Sequence, residues 1–204
     1  MGHYFTNNDN LKSEFRTIIY KRGDEITKFT SDLGVFSKDK VDYGSNLLID
    51  TYIEKGRKNV KVLDVGCGYG IIGILLAKHM NTDSTMIDVN KRAVHLTDIN
   101  IKNIGVDAKT FESDIYSNVS EYYDVVITNP PIRTGKQTVL KILFDAANHL
   151  KPDGELWFVI RKDQGAKSIM ETLKSTYEIE VINKSKGFFI ILAKKHWHWY
   201  KLKI

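Results

Sequence analysis

The sequence predicts an α/β domain with a mostly parallel sheet, helices on both faces, an antiparallel strand pair at one edge and a β-hairpin in front. Three observations carry this. Short apolar strands alternate with helical stretches from Val60 onward, a pattern that specifies parallel strands joined by crossover helices. Glycines crowd the turn after the first of these strands, in Asp64-Val-Gly66-Cys67-Gly68-Tyr69-Gly70. The last two apolar runs are separated only by Lys184-Ser-Lys186, too short for a crossover, so they pair antiparallel.

Residues 1–12 are polar and without period and read as a flexible N-terminus. The domain proper is expected over 13–195. Within it, 13–35 form a hairpin: two runs rich in β-branched and aromatic residues, 15–20 and 24–29, flank a Lys21-Arg-Gly23 turn. Residues 36–44 read as a loop. Ser45 is placed as the cap of a helix ending near Lys55, with Leu47, Leu48, Thr51 and Tyr52 at helical spacing. Strands are then expected at 60–65, 84–89, 108–112, 124–128 and 155–160, and helices at 71–80, 91–103, 136–150 and 166–174. Pro152 opens a Lys-Pro-Asp-Gly turn. Strands at 177–183 and 187–193 close the sheet.

Composition bounds the function. The chain has 204 residues, 42% hydrophobic and 27% charged. That balance excludes a disordered polymer, a collagen and a coiled-coil rod. No apolar run approaches the ~20 residues a bilayer crossing needs, and the first residues lack a signal-peptide core. The single cysteine, Cys67, excludes an intramolecular disulfide and a cysteine-cluster metal site. The expectation is a cytoplasmic protein, monomeric, with no membrane and no metal. From Asn183 to the end there are six lysines and no acid, against a net charge of +5 for the whole chain. A near-neutral domain therefore carries a basic end, which suits a polyanion such as RNA. A solubilising terminus would have the same composition.

Two motifs carry chemistry. Glycines at the strand-to-helix turn let the chain bend sharply and let a ligand touch backbone. The dinucleotide fingerprint would place its third glycine where Ile71 stands, so the pattern speaks against NAD. Asp64 before the loop suits a ligand carrying an ammonium group. Asp88, with Val89 after it, ends the second core strand and can accept from ribose hydroxyls; Asp88 or Asn90 can also cap the next helix. Asp114 can accept from an adenine amine while the Ile115 N–H donates to the ring. The second motif is Asn129-Pro130-Pro131-Ile132 after the fourth core strand. Adjacent prolines remove two donors and stiffen the loop, leaving carbonyls aimed in fixed directions. Together with the Asn side chain they can hold both hydrogens of an amine and localise its lone pair on nitrogen.

These residues together resemble a class I S-adenosylmethionine-dependent methyltransferase. The blocks at 34–44, 129–136, 154–160, 164–167 and 186–190 give a finer likeness to the family that methylates guanine N2 in small-subunit ribosomal RNA. The resemblance implies a Rossmann-like seven-stranded sheet with its last strand antiparallel. It implies that Gly66, Cys67, Gly68 and Gly70 bracket the methionine part of the cofactor, with Asp64 orienting its ammonium. Asp88 and Val89 would take the ribose, Asp114 and Ile115 the adenine, and Asn129 with the Pro130 carbonyl the target amine. The alternatives carried are an adenine-N6 or protein-glutamine methyltransferase, and a non-catalytic RNA-binding or ribosome-assembly factor. The sequence departs from the family at Ile132, where many members place an aromatic residue. It also leaves no length for the extra N-terminal domain of two-domain members. The N-terminal hairpin, Arg133, Lys136, Lys162 and the basic end are therefore the expected contacts to ribosomal RNA or the small subunit, unless another protein supplies them. The tail at 196–204 interleaves lysines with Trp197, Trp199 and Tyr200, a pattern compatible with base stacking. His196 and His198 alone are too few for a metal site.

Overall fold

The computed structural model describes residues 12–37 and 39–196. Strands β1 (Arg16–Arg22) and β2 (Glu25–Ser31) form the antiparallel hairpin. Alternation builds it: Ile18, Tyr20, Thr27 and Phe29 are buried while Thr17, Ile19, Lys21 and Lys28 face out. Helix α1 (Tyr43–Lys55) follows. Its cap is Asp42 and not Ser45. The Asp42 carboxylate accepts the Ser45 N–H at 3.0 Å, so the helix starts three residues earlier and Ser45 is buried in its first turn. A carboxylate there also complements the positive end of the helix.

The central sheet comprises β3 (Lys61–Val65), β4 (Asp83–Asp88), β5 (Ala108–Glu112), β6 (Tyr123–Thr128), β7 (Leu150–Arg161), β8 (Tyr177–Ser185) and β9 (Phe188–Lys195). Their spatial order is β5-β4-β3-β6-β7-β9-β8. The first five are parallel, and β9 runs antiparallel to both β7 and β8. Helices α2 (Ile71–Met80) and α3 (Lys91–Ile104) share one face with α1 and the hairpin, burying Leu48, Ile74, Leu75, Leu96, Phe29 and Trp157 together. Helices α4 (Lys136–Asp145) and α5 (Ala166–Leu173) cover the other face over Leu63, Val126, Leu156 and Phe158. Both faces are therefore dry, which is why the strands read as continuous apolar runs.

Two element boundaries differ from expectation. The helix expected to reach 150 ends at Asp145, followed by a short 3-10 turn (Ala146–Asn148), and Leu150 already pairs with Tyr123. The Lys151–Gly154 stretch is then an irregularity inside β7, because the next pairing is Val125 with Glu155. The expectation for 1–12 falls outside the described residues except at Lys12. That for the tail does so beyond His196, whose N–H bonds the Thr176 carbonyl. Among the described residues no helix is long and apolar enough to cross a membrane.

Candidate active site

Strands β3, β4, β6 and β7 all end at one edge of the sheet. The register Arg161 opposite Phe188 brings the start of β9 to that same edge. There the chain encloses a cavity of about 580 Å³, the place where open α/β sheets bind ligands.

One half is built by the glycine turn. The Gly66 and Cys67 N–H groups both donate to the Ile87 carbonyl, at 2.9 and 3.0 Å. The Gly68 N–H donates to Asp88 Oδ2 at 3.0 Å. Gly70 has φ +87°, and a Cβ there would lie 2.7 Å from Thr97 Cγ2; conformation and packing both demand glycine. Asn90, not Asp88, caps α3, accepting the Arg92 N–H at 2.9 Å. Asp88 instead accepts the Gly68 and Asn90 N–H groups, and burial pushes its carboxyl up to about 6. Asp64 is fully buried behind the turn and is not part of the cavity wall. Its Oδ2 accepts the Gly73 N–H at 3.0 Å, its Oδ1 has no partner, and burial pushes it up to about 7. Burial likewise raises the Cys67 thiol, so Cys67 is a packing residue here and no nucleophile.

Asp114 and Ile115 reach the cavity wall beside Asp88 and Val89. Ile115 has φ +53°, unusual for a β-branched residue and of a kind that clusters at functional sites. Val35, Phe36 and Ser37 also line the cavity; the sequence marked them only as part of the 34–44 block, with no role. Their loop is fastened by Arg92 to Asp32 at 3.0 Å and by Asn90 Nδ2 to the Gly34 carbonyl at 3.1 Å.

The other half centres on Asn129. Its Nδ2 donates to Asp42 Oδ2 at 3.0 Å and to Ser45 Oγ at 2.9 Å. A carboxylate has no proton to give, so the amide nitrogen must face Asp42. Oδ1 is left without a donor among the described residues, on a residue that lines the cavity. The Pro130 carbonyl likewise accepts no bond from them, whereas the Pro131 carbonyl is taken by Thr134. Ile132 and Arg133 continue the wall in a 3-10 turn (Ile132–Thr134). Arg161, Gln164 and Phe188 complete it. Four residues chosen from sequence do not line the wall: Asp64 and Gly70 at the glycine turn, Lys136, which bonds Ser168 Oγ at 2.8 Å, and the exposed Lys162.

The cavity therefore joins a buried acidic half to a half with paired acceptors. The acidic half fits a ligand bearing a cation and hydroxyls: Asp88 and Asp114 line it, the unpartnered Asp64 Oδ1 lies behind it, and Gly66 and Gly68 leave open space where side chains would stand. Those are the features of S-adenosylmethionine. Fold and cavity together define a class I methyltransferase domain, the class that takes its methyl group from that cofactor. The chain belongs to the Methyltransferase small domain family, whose model matches residues 26–192.

Relatives agree with that membership. The chain is 45% identical to the Bacillus subtilis protein called "Uncharacterized protein YbxB", over 95% of this chain and 98% of that one. It is 31% identical to Ribosomal RNA small subunit methyltransferase C of Vibrio parahaemolyticus, over 91% of this chain and 54% of the relative. Among solved structures, a T. thermophilus 16S rRNA N2 methyltransferase in complex with AdoMet and guanosine superposes with TM-score 0.79 at 23% identity, covering 91% of this chain and 52% of that one. The chain thus spans about half the length of these two methyltransferases.

Proposed function

We propose that this chain transfers a methyl group from S-adenosylmethionine to the exocyclic N2 amine of a guanine in small-subunit ribosomal RNA, in the cytoplasm and as a monomer. One observation carries the reading: Asn129 is held by Asp42 and Ser45 so that its Oδ1 is free beside the free Pro130 carbonyl. The cofactor, when bound, supplies an electrophilic methyl on sulfur.

Everything else is positioning. Asp88 accepts the ribose hydroxyls, Asp114 and the Ile115 N–H take the adenine, and Asp64 attracts the methionine ammonium from behind the glycine turn. Gly66, Cys67, Gly68 and Gly70 keep the backbone close to the cofactor's amino-acid end. Asn129 Oδ1 and the Pro130 carbonyl accept the two amine hydrogens, which frees the nitrogen lone pair from ring conjugation and aims it. Pro131 and Ile132 give the flipped base an apolar face. The alkylated amine is acidic enough to lose its proton to water, so no strong base is required. Arg133 is placed at the cavity wall to meet the nucleotide's phosphate; Lys136 and Lys162 act only at longer range.

The test is transfer of labelled methyl to unmodified small subunits, their naked RNA and total protein in parallel. Label recovered as N2-methylguanosine is the expected result. Label on adenine or on protein glutamine keeps the cofactor and overturns the substrate. Cofactor binding with no label anywhere makes the protein an assembly factor.

A further inference from the structure

We infer that Arg161 and Lys186 form a clamp for the RNA phosphates on either side of the target nucleotide, an inference that rests on the RNA reading above. The clamp stands on an aromatic base that the reaction itself does not require. The Tyr43 and Phe188 rings pack at 5.4 Å between centroids, tilted by 50°. The Arg161 guanidinium lies over Phe188 at 5.4 Å, and Lys186 Nζ over Tyr43 at 4.9 Å. Arg161 and Phe188 belong to the cavity wall; Tyr43 and Lys186 carry the cluster outward from it.

The sheet register puts it there. Arg161 ends β7 opposite Phe188, and Ser185 at the end of β8 pairs with the same Phe188. The Lys162 N–H donates to the Gly187 carbonyl at 2.8 Å, which locks the two turns together. The Tyr43 hydroxyl and Ser185 Oγ, 2.8 Å apart, tie the start of α1 to the same turn. A Cβ on Gly44 would lie 3.0 Å from Phe188 Cε1, so α1 packs directly on the ring. The two turns, 161–165 and 183–188, hold Arg161, Lys162, Lys184 and Lys186 against one acid, Asp163. A merely solubilising surface needs no ring beneath each cation. Rings that hold a guanidinium and an ammonium at fixed points beside a cavity for a flipped nucleotide suit a polyanion that passes over the opening.

The experiment compares wild type with the Arg161→Gln/Lys186→Gln double variant. It reads the Michaelis constant for small-subunit RNA, the salt dependence of RNA affinity, and S-adenosylhomocysteine affinity by calorimetry. The expected result is an RNA Michaelis constant raised about tenfold, and a log-affinity against log-salt slope shallower by about 1.4, two single-strand phosphates' worth. In the Lys186→Gln single variant, which lies outside the cavity wall, turnover at saturating RNA and S-adenosylhomocysteine affinity stay within about twofold. Asp163→Asn, which frees Arg161 from its 2.7 Å ion pair, should tighten RNA about twofold. An unchanged slope and Michaelis constant in the double variant overturn the clamp. If that variant loses S-adenosylhomocysteine binding it has misfolded, and Lys186→Gln, an exposed single change, decides by a slope shift of about 0.7. Wild type that binds RNA through these residues but labels adenine or protein keeps the clamp and overturns the guanine reading. Wild type with no affinity for RNA overturns both.

Discussion

Asp88 stands in the half of the cavity made by β3, β4 and the glycine turn, with Asp64 buried behind that turn; Asn129 stands in the half made by β6, α1 and β9. The first half has a local centre. Its glycines and two buried acids lie within residues 64–88, joined by hydrogen bonds from backbone N–H groups, while Val35, Phe36 and Ser37 with Asp114 and Ile115 add to its wall. The second half is assembled from afar. Asn129 is held by Asp42 and Ser45, 87 and 84 residues away, and its far wall comes from Arg161 and Phe188. The first half is acidic and built on backbone N–H groups. The second carries Arg133 and Arg161 in its wall. A constant ligand suits short-range construction, whereas a variable substrate suits walls that distant segments can change independently.

Removing one group from each half tests whether the division is functional. Asn129→Ala deletes the acceptor proposed to hold the target amine, so turnover should fall about a thousandfold. S-adenosylhomocysteine affinity should stay within about twofold of wild type, because the acidic half is untouched. Retained turnover in a labelled-methyl assay would show that Asn129 does not hold the amine. Asp88→Ala should do the opposite. It removes two hydrogen bonds to a charged acceptor, together worth about 3 kcal/mol, so affinity should fall about a hundredfold by calorimetry. Turnover at saturating cofactor should recover most of its wild-type value.

The same division explains what the sequence made legible. The glycine turn is visible because left-handed backbone and the 2.7 Å approach of Thr97 at Gly70 leave a local mark. Asn129-Pro-Pro-Ile132 is visible because two of the chain's three prolines are adjacent there. The partner of Asn129 left no such mark. Asp42 looked like a loop residue, since a cap three positions before Ser45 is just as compatible with the helical spacing. Lys136 and Lys162 were selected by charge alone, and charge does not say which way a side chain leaves its element. Arg161 and Phe188 were missed because they meet only through the β7–β9 register, and pairing register is not written in either strand separately. Asp64 was read at the right place in the chain, but its position behind the wall depends on how α2 presents the Gly73 N–H.

Asp42 sharpens the comparison, since it belongs to no catalytic motif and yet orients Asn129. Asp42→Ala should lower turnover roughly thirtyfold by letting the amide rotate. It also removes the α1 cap, at a cost of about 1 kcal/mol in stability. Asp42→Asn is the discriminating variant: its carbonyl oxygen can still accept from both the Ser45 N–H and Asn129 Nδ2. It should restore most of the activity. If both variants lose stability equally and turnover not at all, Asp42 is only a helix cap.

The smallest effect concerns protons and separates the halves without mutation. Burial holds the Asp64 and Asp88 carboxyls at about 7 and about 6 in the ligand-free protein, both above the 3.8 of a free Asp side chain. A ligand that brings an ammonium toward Asp64 favours the charged form, so binding near pH 6 must expel a proton. The affinity for S-adenosylhomocysteine, which keeps that ammonium, should therefore fall about tenfold as pH drops from 7.5 to 6. Calorimetry at pH 6 in buffers of different ionisation heat should register release of most of one proton. Asp64→Asn should abolish most of that release while leaving the Asn129 half unaltered. A flat affinity profile with no proton released would mean that the ammonium sits out of reach of Asp64, leaving the carboxyl a structural partner of Gly73 alone.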